Sequence, residues 1–189
     1  MSVSALTTVM TPVLLVASAT ASIAPSTGRL PTRLPTWVPA ATSVGLLAVA
    51  AVCASLTDPV HGFMLATTYV VTVAVAAVGG SGIVPAVFAL ARRSGTPGPD
   101  DSPGPLHGGR TIGILERTAV AASILSGWPE GIAIVLAVKG LARYPELRAS
   151  EPSAQSPAAT SASEQFIIGT FTSVMWAVAV CGVGLALTT

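Results

Sequence analysis

Apolar segments alternate with short polar segments along this chain. An uncharged apolar run of about 18 residues or more predicts a transmembrane helix. Four runs reach that length, and two shorter apolar segments carry charges, so the pattern predicts an all-α polytopic transmembrane helical bundle of about six spans. The predicted spans are Ala5–Ala24, Trp37–Leu56, Gly62–Ala91, Thr111–Ser126, Ile132–Tyr144 and Phe166–Leu187.

The third run is longer than a membrane requires. As a straight helix, Gly62–Ala91 would measure about 45 Å, against a hydrocarbon core of about 30 Å. The helix must therefore tilt or break. Gly79, Gly80 and Gly82, followed by Pro85, are the predicted helix break, because sharp kinks occur at proline and glycine.

Two segments lack the pattern of a regular element. Residues 94–109 are rich in Pro and Gly and predict a flexible cytoplasmic linker. They separate an N-terminal three-span half, 1–93, from a C-terminal three-span half, 110–189, which resembles the arrangement of inverted-repeat transporters, although the halves share no residue-level similarity. Residues 149–163 are rich in Ala, Ser and Pro and predict a disordered loop.

The cationic residues alternate between connecting segments. Two Arg lie in 25–36, and three cationic residues lie in each of 92–110 and 139–163, whereas 57–61 and 127–131 contain none. By the positive-inside rule, the Arg-bearing loops are cytoplasmic and both termini lie outside. We therefore expect a multi-pass protein of a bacterial cytoplasmic (inner) membrane.

The N-terminus leaves one alternative open. Ala19-Thr20-Ala21 resembles the small-residue cleavage site of a signal peptide. However, no cationic residue precedes Arg29, whereas a signal peptide begins with a cationic region. Cleavage would also leave five spans in conflict with the charge distribution, so we expect the first span to be retained.

Composition narrows the class of protein. Charged residues make up 9% of the chain, against about a quarter in soluble domains, and mean hydropathy is +0.74. The formal net charge of +1 gives no basis for a nucleic-acid partner. The lipid bilayer is the expected partner, and eight Arg against one Lys suggest a GC-rich bacterial genome.

Charges inside the predicted spans are the most informative residues. Ionisable groups in a membrane are costly and are functional candidates by default. Glu116 lies 13 residues before Pro129 in the fourth–fifth turn, and Lys139 and Arg143 lie 10 and 14 residues after it. An antiparallel hairpin therefore places Glu116 level with both cations, which share one helix face.

Arg117 requires a different environment, because it is rotated by about 100° from its neighbour on the same helix. We expect it to snorkel, or to pair with Glu146 or Glu164 on the cytoplasmic side. The sequence leaves two roles open for this cluster: locking the hairpin in place, or contacting a substrate, ion or partner.

Three segments of the C-terminal half carry a family resemblance: GRTIGILER at Gly109–Arg117, AVKGLARYPEL at Ala137–Leu147 and EQFIIGTFTS at Glu164–Ser173. Their order resembles a family of bacterial inner-membrane proteins that is known as a domain of unknown function. The resemblance covers about residues 109–188 and implies a membrane protein without assigning an activity.

The resemblance carries over to single positions. The residues that match the family motifs are Gly113, Glu116, Arg117, Lys139, Arg143, Glu146, Glu164, Gly169, Thr170 and Ser173. Gly140 departs from the Ser of the pattern, and Tyr144-Pro145 departs from an aromatic residue followed by a small one. The resemblance thus adds Glu164 to the charge cluster.

Motifs for catalysis and metal binding are weak. Gly79–Gly82 fits the G-x-S-G pattern that resembles rhomboid proteases, but His61 and His107 lie in a turn and in the linker rather than in a later span. Cys53 and Cys181 lie alone in apolar runs, where a thiol behaves as a small hydrophobe. We therefore predict no catalytic residue, no metal site and no cofactor.

Two function classes remain. We expect a non-enzymatic membrane subunit, either a small transporter or channel-like protein or an assembly partner of a larger membrane complex, with other subunits as partners. The alternative is a membrane-embedded enzyme that acts on a lipid or isoprenoid at the cytoplasmic face. Such an enzyme would need paired carboxylates for Mg²⁺, and the only acidic pair, Asp100-Asp101, lies in the linker.

Overall fold

The computed structural model describes residues 3–23, 35, 37–93, 109–149 and 157–189. This part of the chain is all-α, with six helices. They are α1 (Val3–Ile23), α2 (Trp37–Ser55), α3 (Phe63–Arg93), α4 (Gly109–Leu125), α5 (Gly131–Ala149) and α6 (Pro157–Ala186). The predicted linker residues 94–108 and loop residues 150–156 lie outside the described residues.

Helices α3 and α6 form the centre of the bundle and run antiparallel. Gly79 of α3 lies against Trp176 of α6, and farther along α3 the Phe88 ring lies against Gly169, nearer the start of α6. At each point the glycine faces an aromatic ring and lacks the Cβ that would overlap it. Small residues allow helices in a membrane to approach closely in this way.

Helix α1 packs on α2 and α3 through its C-terminal half. The Ser18 hydroxyl donates a hydrogen bond of 3.1 Å to the carbonyl oxygen of Ser43 in α2. Gly82 of α3 lies directly against the backbone carbonyl of Ser22, so closely that a Cβ there would overlap the carbonyl oxygen. This contact holds α1 against the middle of α3.

Helix α3 is continuous over Phe63–Arg93, so the predicted break at Gly79, Gly80, Gly82 and Pro85 is wrong. Pro85 lies inside the helix, where it removes one backbone donor, but helical geometry continues on both sides. The glycines instead provide close approaches to neighbouring helices. From the sequence of an apolar segment alone, a glycine that breaks a helix cannot be distinguished from a glycine that allows a neighbouring helix to approach.

The last two helices also differ from the predicted spans. Helix α5 continues past Tyr144 to Ala149, and α6 begins at Pro157 rather than at Phe166. Residues 157–163 are therefore helical, although a disordered loop was predicted there. Ala and Ser are compatible with helix, and proline is well tolerated at a first helical position.

Three helical stretches in the described part of the chain are long and apolar enough to cross a membrane: Trp37–Ser55, Phe63–Ala91 and Glu164–Ala186. Thr8–Ile23 within α1 is a shorter apolar stretch. These helices support the prediction of a transmembrane protein. Helices α4 and α5 are more strongly charged than these three stretches.

Side-chain size is distributed as expected for a protein in lipid. Many of the fully buried positions are occupied by small residues such as Ala50, Ala121 and Ala177, each 0% exposed. Large apolar side chains such as Leu141 and Phe171 lie on the outside. Exposed apolar surface this extensive marks contact with lipid or protein.

Candidate functional site

Four helices meet at one end of the bundle. Helices α3 and α5 end there, and α4 and α6 begin there. Helix α5 runs antiparallel to α4, because Gly131 at its start contacts Ser123 near the end of α4, whereas Lys139 reaches Glu116 near its middle. The site lies at the end that carries Arg92 and the segments predicted to be cytoplasmic.

Glu116 and Lys139 form an ion pair across the α4–α5 hairpin. The Lys139 Nζ lies 2.5 Å from Oε2 of Glu116 and donates a hydrogen bond to it. The Glu116 side chain is 4% exposed and the Lys139 side chain 25% exposed. The structure therefore places Glu116 beside the cation that residue counting around Pro129 predicted.

The second predicted cation, Arg143, lies one turn farther along α5 on the same face. Its guanidinium carbon is 5.5 Å from the centroid of the Phe166 ring, and Lys139 Nζ is 5.7 Å from the same centroid. Cation–π contacts at this distance are attractive. One aromatic ring of α6 thus holds both cations of α5 at the site.

Arg117 is buried between α3, α4 and α6, at 3% exposure. Its Nε donates to the carbonyl oxygen of Ala77 at 2.8 Å, and its terminal nitrogens donate to Ser173 Oγ at 3.2 Å and Ser81 Oγ at 3.3 Å. A buried charge requires such hydrogen bonds to offset the loss of water. Arg117 therefore joins three helices through neutral acceptors.

This arrangement corrects the predicted partners of Arg117. Glu164 is exposed at the α6 surface and does not line the site, and the Glu146 side chain lies outside the described residues. Gly80 makes room for Arg117, since a Cβ there would lie 2.8 Å from the arginine Cδ. Gly113, on the helix that carries Arg117, likewise lies close to its guanidinium.

A pocket of about 600 Å³ opens beside these charges. Its volume falls within the range of about 300–1,000 Å³ that is typical of small-molecule sites. The walls come from α3, α4, α5 and α6. The lining residues are Gly80, Ser81, Val84, Pro85, Phe88, Gly109, Arg110, Ile112, Gly113, Glu116, Arg117, Lys139, Arg143, Gln165, Phe166, Gly169, Thr170 and Ser173.

Two buried oxygens in the pocket wall have no hydrogen-bond partner. They are Oε1 of Glu116 and Oγ1 of Thr170, and each residue is only 7% exposed. An unpartnered buried polar group costs roughly 1–3 kcal/mol. Such groups call for an explanation, and a ligand that bonds to them would supply one.

The charge of the pocket is predominantly positive. The lining residues include one carboxylate, that of Glu116, and four cationic side chains: Arg110, Arg117, Lys139 and Arg143. Within the described residues, no group of three His, Cys, Asp or Glu side chains is placed to hold a metal ion. This set of side chains is suited to binding an anion that also donates a hydrogen bond.

The serine of the G-x-S-G pattern belongs to the pocket but is not paired with histidine. Ser81 Oγ accepts a hydrogen bond from Arg117. It lies 18 residues into α3, or about 27 Å along the axis from the end at which His61 precedes that helix. His107 lies outside the described residues. The structure thus brings no general base to Ser81 within the described part of the chain.

Several uncharged residues of the site were not predicted from the sequence, because the prediction was based mainly on charge. Phe166 and Phe88 shape the pocket, but no feature of the apolar segments separates them from ordinary packing residues, and Ser81 was singled out only as part of the G-x-S-G pattern. Thr170 and Ser173 appeared only through the family resemblance. The sequence feature that distinguishes them is a pair of hydroxyl side chains, about one helical turn apart on the same face of the last helix.

Comparison with protein-family models, with curated proteins and with solved structures gives no match to this chain.

Proposed function

We propose that this chain is a six-span protein of a bacterial inner membrane that binds a small ligand in the α3–α6 pocket, as a carrier or as a ligand-binding subunit. The observation that carries the proposal is the pocket itself. Its volume is about 600 Å³, and two buried oxygens in its wall have no partner.

Six spans are compatible with the charges of α4 and α5. Glu116 and Arg117 are turned into the bundle, where neither would contact lipid. The outer face of α5 presents Ile134, Val138 and Leu141, all more than half exposed. An apolar outer face with inward charges is the arrangement expected of a charged transmembrane helix.

Orientation follows from the Arg-bearing segments. The pocket lies where α3 and α5 end and α4 and α6 begin, and the positive-inside rule assigns that end to the cytoplasm. We propose that ligand enters there. Both termini would then lie on the outer side.

Binding is favoured over catalysis by the lining residues. They include no His or Cys and one carboxylate, and that carboxylate is paired with Lys139. Carboxylate pairs or a nucleophile with an adjacent base are what lipid-modifying or hydrolytic chemistry would use. The enzyme alternative therefore has less support than a binding role.

Filling the pocket should remove its ligand. Val84 is half-buried on the pocket wall, so in Val84→Trp the indole would occupy the cavity. We expect native mass spectrometry of the full chain, extracted in mild detergent, to show a small-molecule adduct that is at least about tenfold less abundant in this variant, as expected for the loss of 1.4 kcal/mol or more.

Val44→Trp is the matched control, because Val44 is 53% exposed on α2 and does not line the pocket. It should retain the adduct. Equal adduct in both variants, or no adduct in the wild-type protein, would contradict the proposed function.

A further inference from the structure

We infer that the pocket binds a single-chain lipid whose head group carries a hydroxyl, such as a monoacylglycerol. The inference rests on the proposed function, since both place a ligand in the same pocket, and it adds the chemical class of that ligand. Three features of the wall define the class: the partners of its cations, two oxygens without partners, and the volume and polarity of the cavity.

Three of the four cationic side chains in the wall already have partners. Lys139 is paired with Glu116, and Arg117 donates to three neutral oxygens. Arg143 has a cation–π contact with α6 and a further interaction within the chain. The fourth, Arg110, is exposed and can be hydrated. The wall therefore tolerates an anionic head group without requiring one. Because the acceptors of Arg117 are neutral, its positive charge remains and disfavours an ammonium head group.

The polar atoms that lack a partner are oxygens. Glu116 and Thr170 line the pocket, and Oε1 of the first and Oγ1 of the second are buried without a hydrogen-bond partner. A carboxylate oxygen can only accept a hydrogen bond, whereas a threonine hydroxyl can donate or accept. The ligand must therefore donate at least one hydrogen bond. A hydroxyl, which both donates and accepts, can satisfy either oxygen.

Thr170 also differs from other helical threonines of this chain. The hydroxyls of Thr67 and Thr118 each donate to the carbonyl oxygen four residues earlier, which satisfies them within their own helix. Thr170 makes no such bond, although α6 is helical on both sides of it. Thr72 makes none either, but it does not line the pocket. The Thr170 hydroxyl is therefore the one of these that a ligand in the pocket can satisfy.

The volume of the pocket admits one lipid chain rather than two. An apolar cavity of about 150 Å³ holds one benzene molecule. At the same packing, the pocket volume of about 600 Å³ corresponds to roughly 24 non-hydrogen atoms. A monoacylglycerol with a chain of medium length stays below that size, whereas a two-chain glycerolipid exceeds it.

Most of the exposed surface of the wall is apolar. Three helices provide the apolar side chains, which are Val84, Pro85, Phe88, Ile112 and Phe166. A hydrocarbon chain gains free energy when it leaves water for such a surface. A polyol without a chain would leave this part of the wall uncovered, so the ligand is amphiphilic.

The class is tested with the full chain in nanodiscs of phosphatidylcholine. This lipid has no hydroxyl, whereas sugar-based detergents carry both a chain and hydroxyls and would compete. Four lipid probes are added at equal mole fraction: monolaurin, its dimethyl ether (no donor), dilaurin (two chains) and dodecylamine (an ammonium group). Glycerol in the buffer represents a soluble source of the same head group. Native mass spectrometry measures the adduct of each probe.

We expect monolaurin to form a saturable adduct at least about tenfold more abundant than that of its dimethyl ether, the effect of a lost hydrogen bond to a charged acceptor. The other three probes should also give less adduct than monolaurin. An equal adduct from the dimethyl ether or from dodecylamine would overturn the hydroxyl head group. An equal adduct from dilaurin or from glycerol would overturn the single chain.

Thr170→Val tests the contact in α6. It should lower the monolaurin adduct by roughly two- to tenfold, the value of one hydrogen bond. Thr72→Val is the matched control, because Thr72 also has a buried hydroxyl without a partner but does not line the pocket, and its adduct should equal that of the wild-type protein. An unchanged adduct in Thr170→Val, or an equal loss in both variants, would refute the contact.

Glu116→Gln tests the contact in α4 through a ratio of adducts. When the amide oxygen accepts the hydrogen bond of Lys139, the amide NH₂ group presents a donor where the carboxylate presented an acceptor. The ratio of the monolaurin adduct to the dimethyl ether adduct should therefore fall toward one. This ratio does not depend on how much of the variant is folded. An unchanged ratio would show that the hydroxyl does not bond to Glu116.

The outcomes also separate this inference from the proposed function. If none of the probes gives an adduct while the protein isolated from its own membrane carries one that Val84→Trp removes, the hydroxylated-lipid inference fails and the proposed function stands.

Discussion

The Gly82→Ala variant is expected to melt at a lower temperature than the wild-type protein and to be recovered from membranes in lower yield. A Cβ at Gly82 would overlap the backbone carbonyl of Ser22, and backbone cannot rotate away as a side chain can. The two helices must separate, and overpacking of this kind costs about 1–3 kcal/mol or more. Thermal unfolding in detergent, followed by Trp fluorescence, measures the change.

Gly45→Ala is the matched control. Gly45 lies inside α2, and apart from its chain neighbours and the backbone of its own helix no atom lies within 4 Å of the position of its Cβ, so alanine should stabilise this helix slightly, by up to about 1 kcal/mol. An unchanged melting temperature in Gly82→Ala would show that α1 does not pack against α3 as described.

Glu116→Gln is expected to destabilise the hairpin of α4 and α5. It leaves Lys139 without the carboxylate that lies 2.5 Å from its Nζ. Removing one partner of a fully buried pair costs about 3–5 kcal/mol, and the 25% exposure of Lys139 places this case toward the lower end. The melting temperature and the rate of proteolysis in α5 report the loss.

The exchange of the two charges separates the two roles of Glu116. Glu116→Lys combined with Lys139→Glu restores an ion pair and should recover much of the stability lost in Glu116→Gln. It should not recover ligand binding, because an ammonium group replaces the carboxylate at position 116, which lines the pocket. Glu164→Gln, an exposed control, should be neutral, and an equally neutral Glu116→Gln would refute the pair.

Sequence reasoning succeeded where the contacts follow from local geometry. To predict that Glu116 lies level with Lys139, it was enough to assume a tight turn near Pro129 and two helices with a rise of 1.5 Å per residue. The observed turn includes Gly127 at φ 74°, a conformation that glycine adopts easily. Counting from a turn of this kind fixes the register of an antiparallel hairpin.

The partners of Arg117 could not be obtained in this way. Ala77 and Ser81 lie 40 and 36 residues before it, and Ser173 lies 56 residues after it. Contacts at such separations depend on how α3 and α6 pack, and small apolar residues in all the spans give no preferred register. A carboxylate partner was expected because opposite charges attract. In the structure, three neutral oxygen atoms accept the hydrogen bonds of Arg117 instead.

The glycine-rich segment of α3 illustrates a second limit. Gly79 and Gly80 were predicted to break the helix, but they approach Trp176 and Arg117. Glycine weakens a helix and also permits close contact. Only the presence of a large side chain opposite each glycine decides between these effects, and that information lies in the neighbouring helices.

Labelling of a single pocket cysteine tests the central claim, an accessible cationic pocket at the cytoplasmic end, most directly. Ile112→Cys is made in a chain that lacks Cys53 and Cys181, because Ile112 lines the pocket and is 58% exposed. Pro129→Cys, in the exposed turn between α4 and α5, is the control. We predict that membrane-impermeant thiol reagents label position 112 in inside-out vesicles and position 129 in intact cells. A sulfonate reagent should label position 112 faster than a trimethylammonium reagent, because a cationic pocket attracts anions. Labelling of position 112 in intact cells, or faster labelling by the cationic reagent, would contradict this account.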